Sequence, residues 1–134
     1  MVDCSGHPVV DAHCHPFLPE KEDKPFEAYL NLSELPLSHE ELTSTMLYRQ
    51  VMKELGRFLG AEGEKRILSE RAKRMKADPP AYIKALFDDA GIKTLIADSG
   101  YPFKEFTGYK IDFGAFSEMI GRNAREVFRI ETTL

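Results

Sequence analysis

The sequence predicts an α/β fold in which short parallel strands alternate with helices. Three segments have the β-branched or apolar composition and the length of strands, and every interval between them holds at least one segment with helical periodicity. The order along the chain is one strand, three helices, a second strand, a fourth helix and a third strand. Strands that are separated by helices pair in parallel through right-handed crossovers, which places the chain in the α/β class.

The composition is that of an ordinary soluble domain. The 134 residues are 43% apolar and 30% charged, which is enough for one core. Eighteen Lys and Arg stand against 22 Asp and Glu, and a formal net charge of −4 gives no general attraction for nucleic acid or anionic lipid. No apolar run approaches the roughly 18 residues of a membrane span, and no secretory signal is present. We therefore expect a cytoplasmic protein that binds neither nucleic acid nor membranes.

The first predicted strand covers residues 8–15 and ends before Pro16, because proline cannot continue a central strand. The next segment, residues 17–37, is rich in proline and charge. It predicts a long loop with one helical turn near residues 26–30. Long loops in compact domains are often functional.

Three consecutive helices are predicted after this loop, over residues 38–60, 62–76 and 79–90. Ser38 and Glu41 form a capping box at the start of the first helix, and Gly60 is a suitable stop. Asp78 followed by Pro79 supplies a cap and a first-turn proline for the third helix.

The remaining elements are shorter. A strand over residues 92–98 ends at a Ser-Gly pair, and a helix over residues 112–120 stops at Gly121. A third strand is predicted over residues 125–131. No internal repeat and no interdomain linker interrupts this order, so we expect a single domain over residues 1–134.

Two histidines stand at the end of the first strand as His13-Cys14-His15. Residues two apart on a strand project to the same side, so His13 and His15 share a face, Asp11 lies one layer below them, and Cys14 points the other way. Two such imidazoles form a half-site for a divalent metal such as zinc, with the Asp11 carboxylate available to orient a ring or tune the site. The alternative is a pair of solvated or hydrogen-bonded histidines, because the H-x-H spacing is common.

The segment Val9-Val10-Asp11-Ala12-His13-Cys14-His15 resembles the D-x-H-x-H signature that ends the first barrel strand in the amidohydrolase superfamily. Further segments are similar to the amidohydrolase domain that some plant and fungal proteins carry fused to a glutamine synthetase. These segments are Phe26-Glu27-Ala28, Leu47-Tyr48-Arg49, Phe58-Leu59-Gly60, Leu86-Phe87-Asp88-Asp89-Ala90-Gly91-Ile92, Asp98-Ser99-Gly100-Tyr101-Pro102 and Arg129-Ile130-Glu131. The resemblance covers nearly the whole chain.

The resemblance implies the N-terminal portion of a (β/α)8 TIM barrel, namely its first three strands, since a complete barrel takes roughly 250 residues. It implies His13 and His15 as the first two metal ligands, with zinc as the first choice and manganese as an alternative. The remaining ligands and the general-base aspartate would come from later strands, so no catalytic residue is assigned within the chain. His39, in the first turn of a helix, is interpreted as a solvated residue.

Two carboxylates end the second and third predicted strands, on the rim where a TIM barrel carries its active-site groups. By resemblance, Asp98 and Glu131 would contact substrate or the outer shell of the metal, and Glu131 could reach the metal itself. Asp11 and Tyr101 are assigned to the same outer group of site residues. The alternative is that Asp98 caps the turn after it and that Glu131 is a surface charge.

The leading functional interpretation is the N-terminal part of a metal-dependent hydrolase that cleaves an amide or related C–N bond of a small-molecule substrate with metal-activated water. A decarboxylase of the same superfamily is one alternative. A non-catalytic, truncated barrel fragment that self-associates or binds a partner is another. Three strands of a closed barrel leave sheet edges uncovered, so we expect a homo-oligomer or association with the rest of the barrel.

Basic residues are concentrated between positions 65 and 76, where only Glu70 balances them. They are Lys65, Arg66, Arg71, Lys73, Arg74 and Lys76. A solvated helix face is the main interpretation, and contact with an acidic partner is the alternative.

Overall fold

The computed structural model describes residues 6–17, 25–33, 35–98 and 112–127. The elements are β1 (Val9–Cys14), a 3₁₀ helix (Phe26–Leu30), α1 (His39–Ser44), α2 (Met46–Leu59), α3 (Glu64–Ala77), α4 (Pro79–Asp89), β2 (Ile92–Ala97), α5 (Phe113–Ile120) and β3 (Asn123–Glu126). The predicted α/β class is confirmed.

The chain divides into two compact units. The sheet unit comprises the described residues of Met1–Leu18 and Asp78–Leu134, and the helical unit comprises those of Pro19–Ala77. The expectation of a single domain over residues 1–134 stays a prediction.

The sheet has three strands in the order β1-β2-β3, and both pairs of neighbours are parallel. Leu95 in the central strand pairs with Asp11 on one side and with Ala124 on the other. The predicted parallel pairing is therefore confirmed. The third strand begins at Asn123, earlier than the predicted 125, and the part of that prediction from residue 128 onward lies outside the described residues.

The core of the sheet unit lies between the sheet and two helices. Leu95 and Ala124 of the strands pack with Ile83 of α4 and with Phe116 and Ile120 of α5. Phe116 and Ile120 are four residues apart on α5 and are 2% and 0% exposed, so they form the apolar stripe that an amphipathic helix turns toward a core. Burial of each such side chain stabilises the fold by about 1.5–3 kcal/mol.

Arg122 connects three elements of this unit through its guanidinium group. Nε donates to the carbonyl of Ile92 at 2.7 Å, Nη1 donates to the carbonyl of Gly121 at 2.7 Å, and Nη2 pairs with the carboxylate of Asp88. Gly121 ends α5 in the left-handed region, at φ 63°, where a Cβ would also lie 2.8 Å from Lys84 Cε. The arginine therefore joins the end of α4, the start of β2 and the turn after α5.

The predicted capping box at Ser38 is present: its Oγ accepts from the Glu41 amide at 3.3 Å, and Glu41 Oε2 accepts from the Ser38 amide at 2.8 Å. The predicted single helix over residues 38–60 is divided in two at Thr45. Thr45 has extended backbone, at φ −64° and ψ 150°, and its hydroxyl accepts from the Tyr48 amide, so it caps a second helix. A threonine side chain competes for backbone hydrogen bonds in this way and favours a cap over a helix interior.

Gly56, inside α2, allows the turn after this helix to fold back closely. The Ala61 amide donates to the Gly56 carbonyl at 3.0 Å. A Cβ at Gly56 would lie 2.9 Å from the Ala61 carbonyl oxygen and 3.1 Å from Cδ1 of Ile67. The absence of a side chain at Gly56 thus allows α3 to pack against α2, where Ala61 and Ile67 are buried.

Two arginines of α3 pack against aromatic rings in the helical unit. Arg71 lies 4.7 Å from the ring centroid of Phe26, and Arg74 lies 5.5 Å from that of Phe58.

Within the described ranges, no helix combines the length and the apolar character that a membrane crossing requires.

Replacement of Gly56 by alanine is expected to destabilise the protein by about 1–3 kcal/mol, because the new methyl group overlaps backbone that cannot move independently of α3. Helix propensity alone predicts the opposite sign, since alanine is the better helix former by about 1 kcal/mol. Urea unfolding of the variant and the parent protein measures the difference. A variant as stable as the parent would contradict the close approach described above.

Candidate functional site

The candidate site lies at the carboxyl edge of the three-stranded sheet. β1 ends at Cys14, β2 ends at Ala97 and β3 ends at Glu126, and parallel strands bring these ends to one edge. Two main-chain hydrogen bonds continue the pairing beyond the strands: the Asp98 amide donates to the Cys14 carbonyl at 2.8 Å, and the Val127 amide donates to the Ala97 carbonyl at 2.9 Å. Open α/β sheets bind ligands at this edge.

The structure brings the rings of His13 and His15 together. Their centroids are 5.3 Å apart and the ring planes are 84° to each other, an edge-to-face arrangement. Both residues are exposed. The shared face that the strand periodicity predicts is therefore present, and the metal-binding role of the two rings stays a prediction.

The ring of His15 is oriented by the main chain of the second strand. Its Nδ1 lies 3.2 Å from the carbonyl oxygen of Asp98. Because a carbonyl oxygen can only accept, Nδ1 carries the hydrogen, and in the neutral ring Nε2 then carries the lone pair. A histidine that donates one ring N–H to a carbonyl in this way has the arrangement typical of metal ligands in proteins.

Asp98 contributes to the site through its backbone as well as its position. The residue is only 2% exposed. Its amide holds the end of β1 through Cys14, and its carbonyl holds the ring of His15. The sequence assigns the Asp98 side chain to substrate or to the outer shell of the metal, and that assignment stays a prediction.

Asp11 acts on the backbone of the first histidine. Its Oδ1 accepts from the His13 amide at 3.1 Å, so the carboxylate orients the backbone that carries the His13 ring. The sequence had predicted that this carboxylate is available to orient a ring directly. The register is irregular at the same place, since Asp11 pairs with Leu95 and Cys14 pairs with Ala97. Such an irregularity redirects side chains at the end of a strand.

Cys14 faces away from the two histidines, as the alternation along a strand predicts. It packs against the buried cluster of the sheet unit, and its Sγ lies 3.9 Å from the carbonyl oxygen of Ile96. Burial, and secondly the charge of Asp11, raises the pKa of the thiol. Cys14 is thus held as a neutral thiol and is a poor metal ligand.

Within the described residues, His13 and His15 are the candidate metal ligands of this edge. There, no group of three or more His, Cys, Asp or Glu side chains is placed to hold a metal ion. Tyr101 and Glu131, which the sequence assigns to the same rim, lie outside the described residues. Two histidines are fewer than the three protein ligands that a catalytic zinc takes.

A contact between a histidine and a carboxylate, which the sequence did not indicate, lies in the helical unit. His39 Nδ1 is 2.7 Å from Glu27 Oε1, and the Glu27 side chain is only 12% exposed. The backbone N–H of Glu27 and, secondly, the His39 ring hold the pKa of this carboxyl below its ordinary value. The two residues are twelve positions apart and belong to different helices, so no local spacing could have revealed the contact.

Comparison of the chain with models of protein families, with curated proteins and with solved structures gives no significant match.

Replacement of Glu27 by glutamine is expected to lower the free energy of unfolding by about 1 kcal/mol above pH 5. A carboxyl whose pKa is lowered in the folded state stabilises above its ordinary pKa of 4.5. That contribution is lost as the pH falls through the lowered value, so the parent and the variant should converge at pH values below it. Urea unfolding at several pH values measures both free energies. Glu40→Gln, in the first turn of α1, is the control, and an equal pH-dependent loss in that variant would contradict the assignment.

Proposed function

We propose that the carboxyl edge of the sheet is the first metal half-site of an amidohydrolase-type enzyme, which hydrolyses an amide or related C–N bond of a small molecule. The observation that carries this proposal is the placement of His13 and His15 with ring centroids 5.3 Å apart, beside the end of the neighbouring strand. The strand order supports it further. A barrel of parallel strands places consecutive strands side by side, as β1, β2 and β3 are here.

The residues of the edge fit a divalent metal. The Asp98 carbonyl selects the tautomer of His15 in which Nε2 carries the lone pair, and neutral imidazole is a preferred ligand of zinc. His13 and His15 would hold the ion, with zinc as the first choice and manganese as the alternative. When bound, the metal supplies a water of lowered pKa and polarises the scissile carbonyl.

The other residues of the edge position these ligands. Asp98 orients the ring of His15 through its carbonyl, and Asp11 orients the backbone of His13 through its carboxylate. In this proposal the remaining ligands and the general base come from later strands of a (β/α)8 barrel, of which this chain forms the first three.

A decarboxylase of the same superfamily would use the same half-site, and the products formed from a substrate panel distinguish the two reactions. A cytoplasmic location is part of the proposal, because two cysteines are too few for a disulfide scaffold.

Metal content measured after equilibration with zinc or manganese tests the half-site. We expect the parent chain to bind more metal at equilibrium than the double variant His13→Ala, His15→Ala, because two neutral imidazoles are removed. His39→Gln is the matched control, since it removes a histidine from outside the sheet edge, and it should retain the metal. Equal metal content in all three proteins would refute the proposed site.

A second candidate function is that of a non-catalytic fragment that self-associates. Val9 and Val10 of β1 are 45% and 53% exposed, and β1 forms one edge of the described sheet. An exposed apolar edge strand is a template for pairing with another chain. This candidate predicts no hydrolysis of acyl-amino acids above the rate of the metal alone.

Light scattering at micromolar concentration tests the self-association. We expect an average mass above that of one chain for the parent protein and a shift toward the mass of one chain for Val10→Lys, because a lysine on an edge strand opposes pairing. Leu32→Lys is the matched control: Leu32 is 85% exposed in the helical unit, and its replacement should leave the mass unchanged. A monomeric parent protein would exclude this candidate.

A further inference from the structure

The helical unit contains an open cavity between α2, α3 and the turn that joins them. Its volume is about 650 Å³. The walls include Met52 and Ile67, and the turn contributes Gly60 and Gly63. A Cβ at either of these glycines would meet no atom within 4 Å, so their backbone borders open space. The cavity is therefore accessible to a small solute.

Positive charge predominates on the walls of this cavity. Lys53 and Arg57 lie one turn apart on α2, Arg66 lies in the first turn of α3, and Glu62 is the acidic residue among the lining side chains. Glu54 pairs with Nε of Arg57 at 3.0 Å, and both of these side chains are exposed. An excess of cations at one place is opposite in sign to the net charge of −4 of the chain. A concave surface with such a charge concentrates small anions.

Arg66 differs in its position from the other basic residues of α3. Arg71 and Arg74 lie over aromatic rings, and Lys73 pairs with Glu70 at 2.7 Å. Arg66 instead lines the cavity, together with the two cations of α2. The basic segment at positions 65–76 thus includes residues that stabilise the helical unit and one residue that faces a space large enough for a ligand.

The backbone at the start of α3 adds to this charge. The first helical hydrogen bonds come from the amides of Arg66 and Ile67, which both donate to the Gly63 carbonyl. The amides of Glu64 and Lys65 precede them and take no part in that helical pattern. The start of a helix carries a partial positive charge, and Glu64, the acidic residue of this turn, lines the second, neighbouring cavity and not this one.

We propose that this cavity binds the phosphate group of a small phosphorylated compound. Arginine matches the oxygens of phosphate in a bidentate geometry, and lysine acts on them as a point charge. A second cavity of about 350 Å³ shares Met52, Lys53 and Ile67 with the first. Met52 and Ile67 on the shared wall are only 8% and 6% exposed, so the organic part of the compound would contact their exposed edges. This site belongs to the helical unit and is independent of the proposed hydrolase half-site.

A titration of the full chain followed by amide NMR tests the proposal, with inorganic phosphate and phenyl phosphate as probes at constant ionic strength. We expect saturable shifts at the amides of residues 60–66 with both probes. Lys53→Gln and Arg66→Gln should each weaken binding about three- to fivefold, and their combination about tenfold, as expected for exposed charge-assisted contacts. Lys73→Gln, which removes a paired lysine from the same helix, is the control and should bind within about twofold of the parent chain.

The two probes distinguish the sources of the phosphate group. Tighter binding of phenyl phosphate, with additional shifts at Met52 and Ile67, supports an organic phosphate. Equal binding of both probes supports recognition of the phosphate group alone, as for free phosphate. Shifts that rise linearly without saturation, or equal losses in Arg66→Gln and Lys73→Gln, would overturn the proposal, because general screening of positive charge explains both results.

Discussion

The parallel pairing of β1 with β2 is the constraint on which the candidate site depends. It joins residues more than eighty positions apart and continues past the strands through the hydrogen bond from the Asp98 amide to the Cys14 carbonyl. This bond brings the Asp98 carbonyl within reach of His15 Nδ1, so the amide of one residue ends the ladder and its carbonyl selects the tautomer of a ring. Without that pairing, the ring of His15 would lose its contact with the Asp98 carbonyl.

Arginine side chains have different roles in the two units. In the sheet unit, the guanidinium of Arg122 satisfies the carbonyls of Ile92 and Gly121 and pairs with Asp88, so its charge is used in holding elements together. In the helical unit, Arg71 and Arg74 pack on aromatic rings, whereas Arg66 borders a cavity. A count of basic residues cannot separate these roles, because each depends on what lies opposite the side chain.

Local signals predicted the beginnings and ends of helices well. The capping box at Ser38, the cap at Asp78 and the glycine stops at Gly60 and Gly121 all occur in the structure, because each is a contact within a few residues of chain. The break at Thr45 was missed. Thr45 lies inside the predicted helix over residues 38–60, and its side chain caps the next helix, which favours an extended backbone at this residue.

The sequence by itself determined the α/β class, the order of the elements and the common face of His13 and His15, since these follow from periodicity along one segment. The tertiary structure alone decided that a main-chain carbonyl orients His15 and that Glu27 meets His39. It also decided that Gly56 lets α3 approach α2 and so creates the walls of the basic cavity. The physical reason is that hydrogen bonding and close packing act between groups that the folded chain brings together, whereas periodicity records only which face of an element is apolar.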